Sequence, residues 1–469
     1  MGRFKLFVEN FLIYGIGGII SKAVPLVMLP IITRLMPDTY YFGLNDMFTV
    51  IVSFGTALAV MGMYDAMFRM FFDQEGVEYK KDICSSALSF TLVTSLLIFI
   101  LMVVLRQPLA DLFFDSPEYT NLIMLSAISV LVGATNTIMA APTRMNNQRK
   151  TFLITNTLSP IVSYGIAIPL LMKQMYLIAL PLATVISAGT IEVIFAILNR
   201  KWFSMRRING AYIKQMLAIA VPLIPNFLIY WIFNSSDRLM ITKLIGAEYT
   251  GIYAIGGKIG QVSQLIYTAF AGGWQYFAFS TMKDKDQVEM TSNIFEYLGI
   301  ITFSCGVLMA ALSEPIFRIL FSGTYVQGSI VAPYLFISPL LLMLFQVACN
   351  QFLVIKKTWP NVLILLSGAL LNLGINYFLI PRIGIEGAAI GTLLGYTVSV
   401  ILVAIVLGRM NLLKVSPRFL LCTIGVSGYF VIWRLFIKDY VSVSVILALA
   451  LIGCFLLLYK KDLEKLKKE

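Results

Sequence analysis

Apolar residues along the chain are grouped into runs of about twenty, separated by short breaks that carry charges, proline or glycine. A helix that crosses a hydrocarbon core ~30 Å thick needs about 20 apolar residues, so each run is long enough to span a membrane. The pattern predicts an all-α polytopic membrane protein with about 14 transmembrane helices. The predicted spans are 10–34, 41–64, 84–105, 119–142, 151–172, 176–198, 217–241, 250–278, 292–313, 327–351, 359–380, 384–408, 418–437 and 440–459.

The composition agrees with this prediction. Apolar residues make up 59% of the 469 positions and charged residues only 13%. A soluble domain is about 45–50% apolar and about 25% charged. Length alone would suggest about three soluble domains, but a chain this apolar is better explained by membrane spans.

The basic charge excess reports membrane topology. The net charge of +12 comes from 36 Lys and Arg residues against 24 Asp and Glu residues. With the N-terminus placed in the cytoplasm, the loops on that side hold about 25 of the basic residues and the opposite loops about 8, as the positive-inside rule requires. We therefore expect both termini to lie in the cytoplasm, and we expect no nucleic-acid partner.

Several kinds of chemistry are excluded by residue type. The chain contains no histidine, which removes His-based metal sites and Ser-His or Cys-His catalysis. Its five cysteines are scattered without metal-like spacing. The predicted outer loops are too short to assemble the active site of a membrane glycosyltransferase or glycan polymerase. We expect a transporter rather than an enzyme, with no metal and no cofactor.

The two halves of the chain contain an internal repeat. Four short motifs recur in the same order at an almost constant offset, and the unit holds six predicted helices, so both copies have the same orientation in the membrane. Parallel repeats of this kind form transporters with the substrate site between the halves. We predict an N-terminal six-helix lobe (1–205), a C-terminal six-helix lobe (206–410) around a central cavity, and two further helices with a basic cytoplasmic tail (411–469). The matching motifs are 32–35 with 241–244, 41–43 with 249–251, 149–151 with 356–358, and 165–166 with 374–375.

Five of the ionisable residues inside or at the ends of predicted spans are candidates for a functional site. Lys22 lies at mid-membrane depth in the first span and Lys258 near the centre of the eighth. Asp46 lies one to two turns into the second span, and Asp237 and Arg238 close the seventh. Each such group costs at least about 2.5–3.5 kcal/mol on insertion scales and usually faces a cavity or a partner. We predict a cavity with substrate-binding cations (Lys22, Lys258 and Arg238) and gating or coupling carboxylates (Asp46 and Asp237).

A second interpretation is that these residues are buried ion pairs, Lys22 with Asp46 and Asp237 with Lys258, that only join helices. The two interpretations are compatible, because a pair can hold a gate in one state and release it for a ligand. Arg434, in the thirteenth span, is expected to pair or to extend towards the interface. Glu192 and Glu296 are expected near the cytoplasmic interface, where they require no special explanation.

The same residues carry a family resemblance. The opening of the second half resembles that of polysaccharide exporters in three segments, Ser236-Asp237-Arg238, Gly251-Ile252-Tyr253-Ala254 and Lys258-Ile259. In the first half, Arg34 and Gly43 also resemble these exporters. The chain resembles the Wzx-type lipid-linked oligosaccharide flippases of the multidrug/oligosaccharidyl-lipid/polysaccharide exporter superfamily.

The resemblance implies a protein of the bacterial cytoplasmic membrane that flips an undecaprenyl-pyrophosphate-linked oligosaccharide repeat unit to the outer leaflet by alternating access. It implies Lys22 and Lys258 as cationic cavity residues, with Asp237 and Arg238 at the outer end of the seventh helix. The expected partners are the anionic lipid-linked glycan, membrane lipids, and the glycan polymerase and glycosyltransferases of the same pathway. We expect a monomer. Helices 13 and 14 are expected to offer a groove for the prenyl tail.

Three alternatives remain at this point. Lipid II flippases also have fourteen helices and basic residues on helices 1 and 8, although their arginine set is richer. Drug exporters of the superfamily hold cationic drugs with membrane carboxylates and would have an acid where this chain has Lys22. A non-transporting scaffold for glycan-assembly enzymes is the third alternative.

Overall fold

The structure is a computed structural model that describes residues 23–267, 270, 274, 286–355, 357 and 359–466. Lys22 therefore lies outside the described residues. Twelve helices of this described part are long and apolar enough to cross a membrane. They correspond to the predicted spans except the first and the eighth, which overlap residues that are not described. The all-α polytopic fold is confirmed, and the total of fourteen helices stays a prediction.

The chain separates into two compact units, Met1–Gly251 and Ile252–Glu469. The boundary falls within a helix. It differs from the predicted lobe limits, which were drawn from the sequence repeat and stay predictions. Helices of the first unit are α1 (Ala23–Leu35), α2 (Thr39–Val60), α3 (Met63–Phe71), α4 (Val77–Val104), α5 (Arg106–Phe114), α6 (Thr120–Met145), α7 (Arg149–Met172), α8 (Tyr176–Leu198), α9 (Gly210–Ala220), α10 (Ile224–Leu244) and the start of α11 (Ala247–Gly260).

The local sequence explains where α2 begins and ends. The Asp38 side chain caps its N-terminus and accepts a hydrogen bond from the Tyr40 amide at 2.9 Å, which satisfies a donor that the helix itself leaves open. At the other end, Met61 and Gly62 adopt positive φ angles of 48° and 73°. A Cβ at position 62 would lie 3.0 Å from the Ala220 carbonyl oxygen, so glycine fits both the turn and the close approach of α9.

Small residues allow the helices of the first unit to pack closely. Ala59, Ala87, Ala127 and Ala134 are fully buried, and a Cβ at Gly55 would meet the Val130 side chain at 2.5 Å. In a membrane no hydrophobic force drives helices together, so association depends on close van der Waals contact, which small side chains permit.

The closest approach of two helices in this unit is between α2 and α11. A Cβ on Gly43 would lie 1.9 Å from the Ala247 carbonyl oxygen, and a Cβ on Gly251 would lie 2.0 Å from the Thr39 carbonyl oxygen. Gly43 and Gly251 are equivalent positions of the sequence repeat, and Thr39 and Ala247 are separated by the same offset. The contact is therefore reciprocal, with the local two-fold symmetry of an isologous interface.

The second unit contains α12 (Gln287–Leu320), α13 (Ala332–Val354), α14 (Trp359–Ile383), α15 (Ile385–Arg409), α16 (Pro417–Ile432), a π-helical turn (Trp433–Ile437), α17 (Val441–Leu458) and α18 (Lys460–Leu466). Helices α16 and α17 are the two that lie outside the sequence repeat. In the structure they belong to this compact unit, and two buried polar clusters fix them there.

The first cluster is centred on Glu296 of α12, whose side chain is buried. Its carboxylate accepts hydrogen bonds from the Ser416 amide at 2.6 Å, the Ser416 hydroxyl at 2.8 Å and the Tyr459 hydroxyl at 2.8 Å. The Arg418 guanidinium stacks 4.2 Å above the Tyr459 ring and pairs with Asp462 at 2.5 Å. Burial raises the pKa of the Tyr459 phenol, and its hydrogen bond to Glu296 raises it further, so the phenol stays a neutral donor. The expectation that Glu296 needs no special explanation is therefore wrong.

The second cluster lies at the other end of α16. Arg434, in the π-helical turn, forms an ion pair with the buried carboxylate of Glu386, and the Tyr334 hydroxyl donates to the same carboxylate at 3.1 Å. Of the two expectations for Arg434, the structure shows pairing. Because each buried charge has a partner, neither is left uncompensated inside the protein.

We expect Gly43→Ala and Gly251→Ala each to destabilise the protein by about 1–3 kcal/mol. A Cβ cannot rotate away from a backbone oxygen, so α2 and α11 would have to separate. The midpoint of thermal unfolding in detergent micelles measures the effect.

Gly165→Ala is the matched control. Gly165 lies inside α7, where a Cβ would meet no other atom within 4 Å, and alanine favours a helix interior over glycine by up to about 1 kcal/mol. We expect this variant to be neutral or slightly stabilised. An unchanged midpoint for Gly43→Ala would contradict the close crossing.

Candidate functional site

Two of the residues predicted for the site contact each other. Nε of Arg238 on α10 lies 2.5 Å from Oδ2 of Asp46 on α2, and the two side chains are only 14% and 7% exposed. The Arg238 guanidinium also donates to the Asn234 carbonyl, one turn earlier on α10. Both charges are therefore compensated where hydrocarbon could not solvate them.

This pairing differs from the one considered on sequence grounds, in which Asp46 paired with Lys22. Lys22 lies outside the described residues, and in the structure the partner of Asp46 is Arg238. Arg238 was considered on sequence grounds as a substrate-binding cation and not as a partner of Asp46, so the pair was missed. A usable signal was present, because Asp46 and Arg238 carry opposite charges close to the same predicted side of the membrane.

Asp237, which precedes Arg238 in the sequence, is also buried. It is 3% exposed, and its Oδ1 accepts a hydrogen bond from the Ser236 hydroxyl at 3.4 Å. Ser235 and Ser236 are buried as well, so α10 is enclosed by protein on more than one side at this level.

Lys258 has a different environment. On α11 every residue from Thr250 to Gly260 is buried except Lys258, which is exposed. The backbone of this helix is closely packed within the second unit, since a Cβ at Gly256 would lie 2.6 Å from the Gly328 carbonyl oxygen. A closely packed stretch of helix thus carries one exposed basic residue.

Lys243 is a surface cation that can be compared with Arg238 and Lys258. It lies in the last turn of α10, and its ammonium group lies 2.7 Å from a carboxylate oxygen of Asp115 and 2.6 Å from the Asp111 carbonyl oxygen. This pair connects the end of α10 to the end of α5, and both side chains are partly exposed.

No cluster of three or more His, Cys, Asp or Glu side chains that could hold a metal ion lies in the part of the chain that the structure describes. The charged side chains singled out from the sequence are therefore the Arg238–Asp46 pair and Asp237 in the first unit and Lys258 in the second.

Together, twelve candidate spans and charged side chains on span-forming helices define a multi-pass membrane protein of the exporter type. Residues 31–329 match the family described as "Polysaccharide biosynthesis protein", and the chain belongs to that family.

Solved structures agree on the fold. The chain is similar to the lipid II flippase MurJ in an inward closed conformation, with a TM-score of 0.73 and 15% identity over 96% of this chain and 100% of MurJ. It is similar to an inward-facing MATE-family multidrug resistance transporter of the MOP superfamily, with a TM-score of 0.66 and 14% identity over 84% and 98% of the two chains. A MOP superfamily transporter from Pyrococcus furiosus, whose binding pocket is described as having reverse polarity, gives a TM-score of 0.56 at 15% identity over 86% and 95%.

A sequence relative is an uncharacterized membrane protein of Methanocaldococcus jannaschii. It is 27% identical over 264 residues, which cover 53% of this chain and 52% of the relative. The chain thus spans about half the length of the curated relative that it matches.

We expect Asp46→Asn or Arg238→Gln alone to destabilise the protein by about 3–5 kcal/mol, because each leaves a buried charge without its counter-ion. The double variant should lose at least about 1 kcal/mol less than the sum of the single losses. Thermal unfolding in detergent of the four proteins completes the double-mutant cycle.

Lys243→Gln serves as the control on the same helix. Its ion pair is partly exposed, and exposed pairs contribute about 0–1 kcal/mol. Strictly additive losses for Asp46→Asn and Arg238→Gln would show that the two side chains do not stabilise each other.

Proposed function

We propose that the protein is a flippase that moves an undecaprenyl-pyrophosphate-linked oligosaccharide repeat unit from the cytoplasmic to the outer leaflet by alternating access. The observation that carries the proposal is the exposed Lys258 on the otherwise buried helix α11. An exposed ammonium group in a membrane helix is too costly to face lipid, so it indicates a water-filled space that attracts anions.

A pyrophosphate headgroup needs such a site. It cannot cross hydrocarbon without compensation for its negative charge, and an ammonium group supplies short charge-assisted hydrogen bonds to phosphate oxygens. Lys22, predicted at a matching depth, is proposed as the second cation. Moving negative charge outward is also favoured by an inside-negative potential, by about 2.3 kcal/mol per charge per 100 mV.

The Arg238–Asp46 pair is proposed as the gate of this cycle. In its paired form the Arg238 charge is compensated by Asp46. Release of the pair, by protonation of Asp46 or by approach of the pyrophosphate, would make the Arg238 cation available to an anion. Asp237, buried next in sequence, is proposed to act with Asp46 in gating or ion coupling.

An apolar cavity in the second unit supports a substrate with a hydrocarbon tail. It has a volume of about 330 Å³ and lies between α16 and helices α12, α13 and α15. Side chains such as Phe303, Leu341, Val400, Phe419 and Val426 line it. The cavity lies beside α16, the thirteenth predicted span, and the groove on helices 13 and 14 stays a prediction.

The family and the positive charge of Lys258 support this substrate class. Membership of a polysaccharide biosynthesis family supports a glycan cargo, and a cationic Lys258 would repel cationic drugs. A lipid II-type cargo is the second candidate, because the likeness to MurJ extends over 96% of the chain. Both cargoes share the prenyl pyrophosphate and differ in the attached glycan. We propose no catalytic activity, a monomeric state, and association with the polymerase and glycosyltransferases that use the same lipid carrier in the bacterial cytoplasmic membrane.

We expect Lys258→Gln to lower the rate of lipid-linked glycan export by about tenfold or more. A lost hydrogen bond to a charged group is worth about 1.5–3 kcal/mol, and 1.4 kcal/mol corresponds to a factor of ten. Export is measured as surface glycan in cells that depend on this gene product, with the membrane level of the protein determined in parallel.

Lys243→Gln, which removes a surface ammonium group already paired with Asp115, should export within about twofold of the unaltered protein. Normal export by the double variant Lys22→Gln, Lys258→Gln would overturn the cationic site. Raised resistance to lipophilic cations with unchanged surface glycan would instead identify a drug exporter, and export of lipid II in place of the repeat unit would identify the second candidate.

A further inference from the structure

A carboxyl group inside the first unit is not part of the charged site. Glu192 lies on α8, which runs from Tyr176 to Leu198 and is long and apolar enough to cross a membrane. It precedes the end of the helix by six residues, or about 9 Å at 1.5 Å per residue. An ionisable side chain in such a position is costly unless a partner or a function compensates it.

Glu192 has a partner on the neighbouring helix α6, the hydroxyl group of Thr135. Thr135 is 4% exposed, and Glu192 is partly exposed. The Asn199 amide fixes the crossing of α6 and α8 nearby, because it donates to the Met139 carbonyl at 2.8 Å and to the Thr143 hydroxyl at 2.9 Å. The contact between Glu192 and Thr135 is therefore held in a defined geometry.

The Thr135 hydroxyl has one proton and three acceptors within reach. Its Oγ1 lies 2.9 Å from the Leu131 carbonyl oxygen and 3.1 Å from the Val132 carbonyl oxygen, and it also contacts a carboxyl oxygen of Glu192. A hydroxyl group donates one hydrogen bond and accepts two. When Thr135 donates to a backbone carbonyl, the bond to Glu192 must therefore be donated by a protonated carboxyl group.

Both protonation states of Glu192 keep this hydrogen bond. The ionised carboxylate accepts the hydroxyl proton of Thr135. The neutral carboxyl group, which has taken a proton from water, donates to Oγ1 of Thr135, while the hydroxyl donates to the Leu131 carbonyl. A proton thus binds to Glu192, or leaves it, without separating α6 from α8.

A polar cavity in the same unit offers a route for the proton. It has a volume of about 440 Å³, and its lining includes Asn136 and Ile191, which are next in sequence to Thr135 and Glu192. Hydroxyl side chains such as Ser187 also line it. An enclosed space with several polar partners is suited to holding water, and water conducts protons.

Other titratable groups lie on the elements around α8. Helices α2, α6 and α7 and the turn Arg200–Trp202 pack against it, and α1 lines the same cavity. The titratable side chains of these elements and of α8 itself, besides Glu192, are Arg34, Tyr40, Tyr41, Asp46, Arg144, Arg149, Lys150, Tyr164, Tyr176, Arg200 and Lys201. Asp46 is the other carboxyl group of this set, and it is paired with Arg238. A carboxyl titration is therefore assigned by substituting Glu192 itself.

We propose that Glu192 and Thr135 form a reversible proton-binding site through which the conformational cycle of export takes up and releases a proton. The ionised carboxylate requires water, so it favours the conformation in which its surroundings are hydrated. The proton removes this requirement and shifts the equilibrium towards the other conformation. The coupling to export rests on the proposed function, whereas proton binding at Glu192 does not.

Infrared difference spectroscopy of the purified full-length protein in detergent measures proton binding directly. The carboxylic C=O stretch is present in the protonated form and absent from the ionised form. Spectra are recorded from about pH 4 to about pH 10, which covers the range over which Glu side chains of proteins titrate. We expect the unaltered protein to show a pH-dependent component of this band that Glu192→Gln lacks.

Thr135→Val removes the hydroxyl group and leaves the carboxyl group in place. We expect the Glu192 component to persist in this variant and to move to higher frequency, because the neutral carboxyl group loses its hydrogen-bond partner. Thr137→Val is the matched control. Its hydroxyl lies on the same helix and makes the same kind of bond, to the Gly133 carbonyl at 2.8 Å, so its removal should leave the component unchanged.

The role in export is tested in proteoliposomes that contain the full-length protein. The probe is undecaprenyl pyrophosphate carrying one neutral hexose, and its transfer is measured at zero membrane potential with and without a pH difference of about one unit. Such a difference corresponds to at most about a tenfold effect per proton. We expect the gradient to change the rate for the unaltered protein by about three- to tenfold and for Glu192→Gln by less than about twofold. Glu314→Gln, which removes a carboxylate paired with Arg318 at 2.5 Å, should keep the full gradient effect.

The outcomes separate the two proposals. Identical carboxylic bands in the unaltered protein and Glu192→Gln would overturn the proton site and leave the flippase proposal standing. If Glu192→Gln does not reach the membrane, Glu192→Asp makes the same comparison, since a carboxyl group one methylene shorter should shift the component. An equal gradient effect in the unaltered protein and Glu192→Gln would overturn the coupling. Failure of the unaltered protein to transfer the probe would count against the flippase proposal and the coupling, while the infrared result would still decide the proton site.

Discussion

The cost of placing charge in hydrocarbon governs the arrangement of this protein. Every span-forming helix must satisfy its own backbone, and each ionisable side chain needs a partner or water. The structure meets this constraint with ion pairs, the buried Arg238–Asp46 pair and the pair between buried Glu386 and the partly exposed Arg434. Buried Glu296 accepts three hydrogen bonds from hydroxyl and amide donors and lies 3.7 Å from Nε of Arg418. Lys258 differs from these residues because it is exposed on an otherwise buried stretch of helix.

A second constraint is steric. The backbones of α2 and α11 touch at Gly43 and Gly251, which the sequence repeat relates to each other. Such a contact tolerates no side chain at either glycine. It also involves few hydrogen bonds or ion pairs that would have to break if the two helices moved against each other. The proposed gate, the Arg238–Asp46 pair, joins α10 to the same helix α2. A change in that pair therefore acts on the helix that makes the closest crossing.

The proposed binding roles of different parts of the protein follow from side-chain chemistry. Ammonium groups suit a pyrophosphate, and an aliphatic and aromatic cavity suits a prenyl chain. The proposed function assigns the pyrophosphate to Lys258 and the prenyl chain to the apolar cavity beside α16, both in the second unit.

The sequence by itself determined the membrane class, the boundaries of most spans and the repeat, because a span requires contiguous apolar residues and a repeat is a local match. It also identified Asp46, Asp237, Arg238 and Lys258 as unusual, because a charged residue within an apolar run can be recognised without knowing the fold. Only the tertiary structure decided that Asp46 pairs with Arg238, because pairing depends on how two helices distant in sequence are rotated and crossed. The cavity of the first unit that is lined by Asn136, Asn156, Ser159, Ser163, Thr184 and Ser187 was likewise invisible, because these residues are ordinary one by one and line one space only when three helices bring them together.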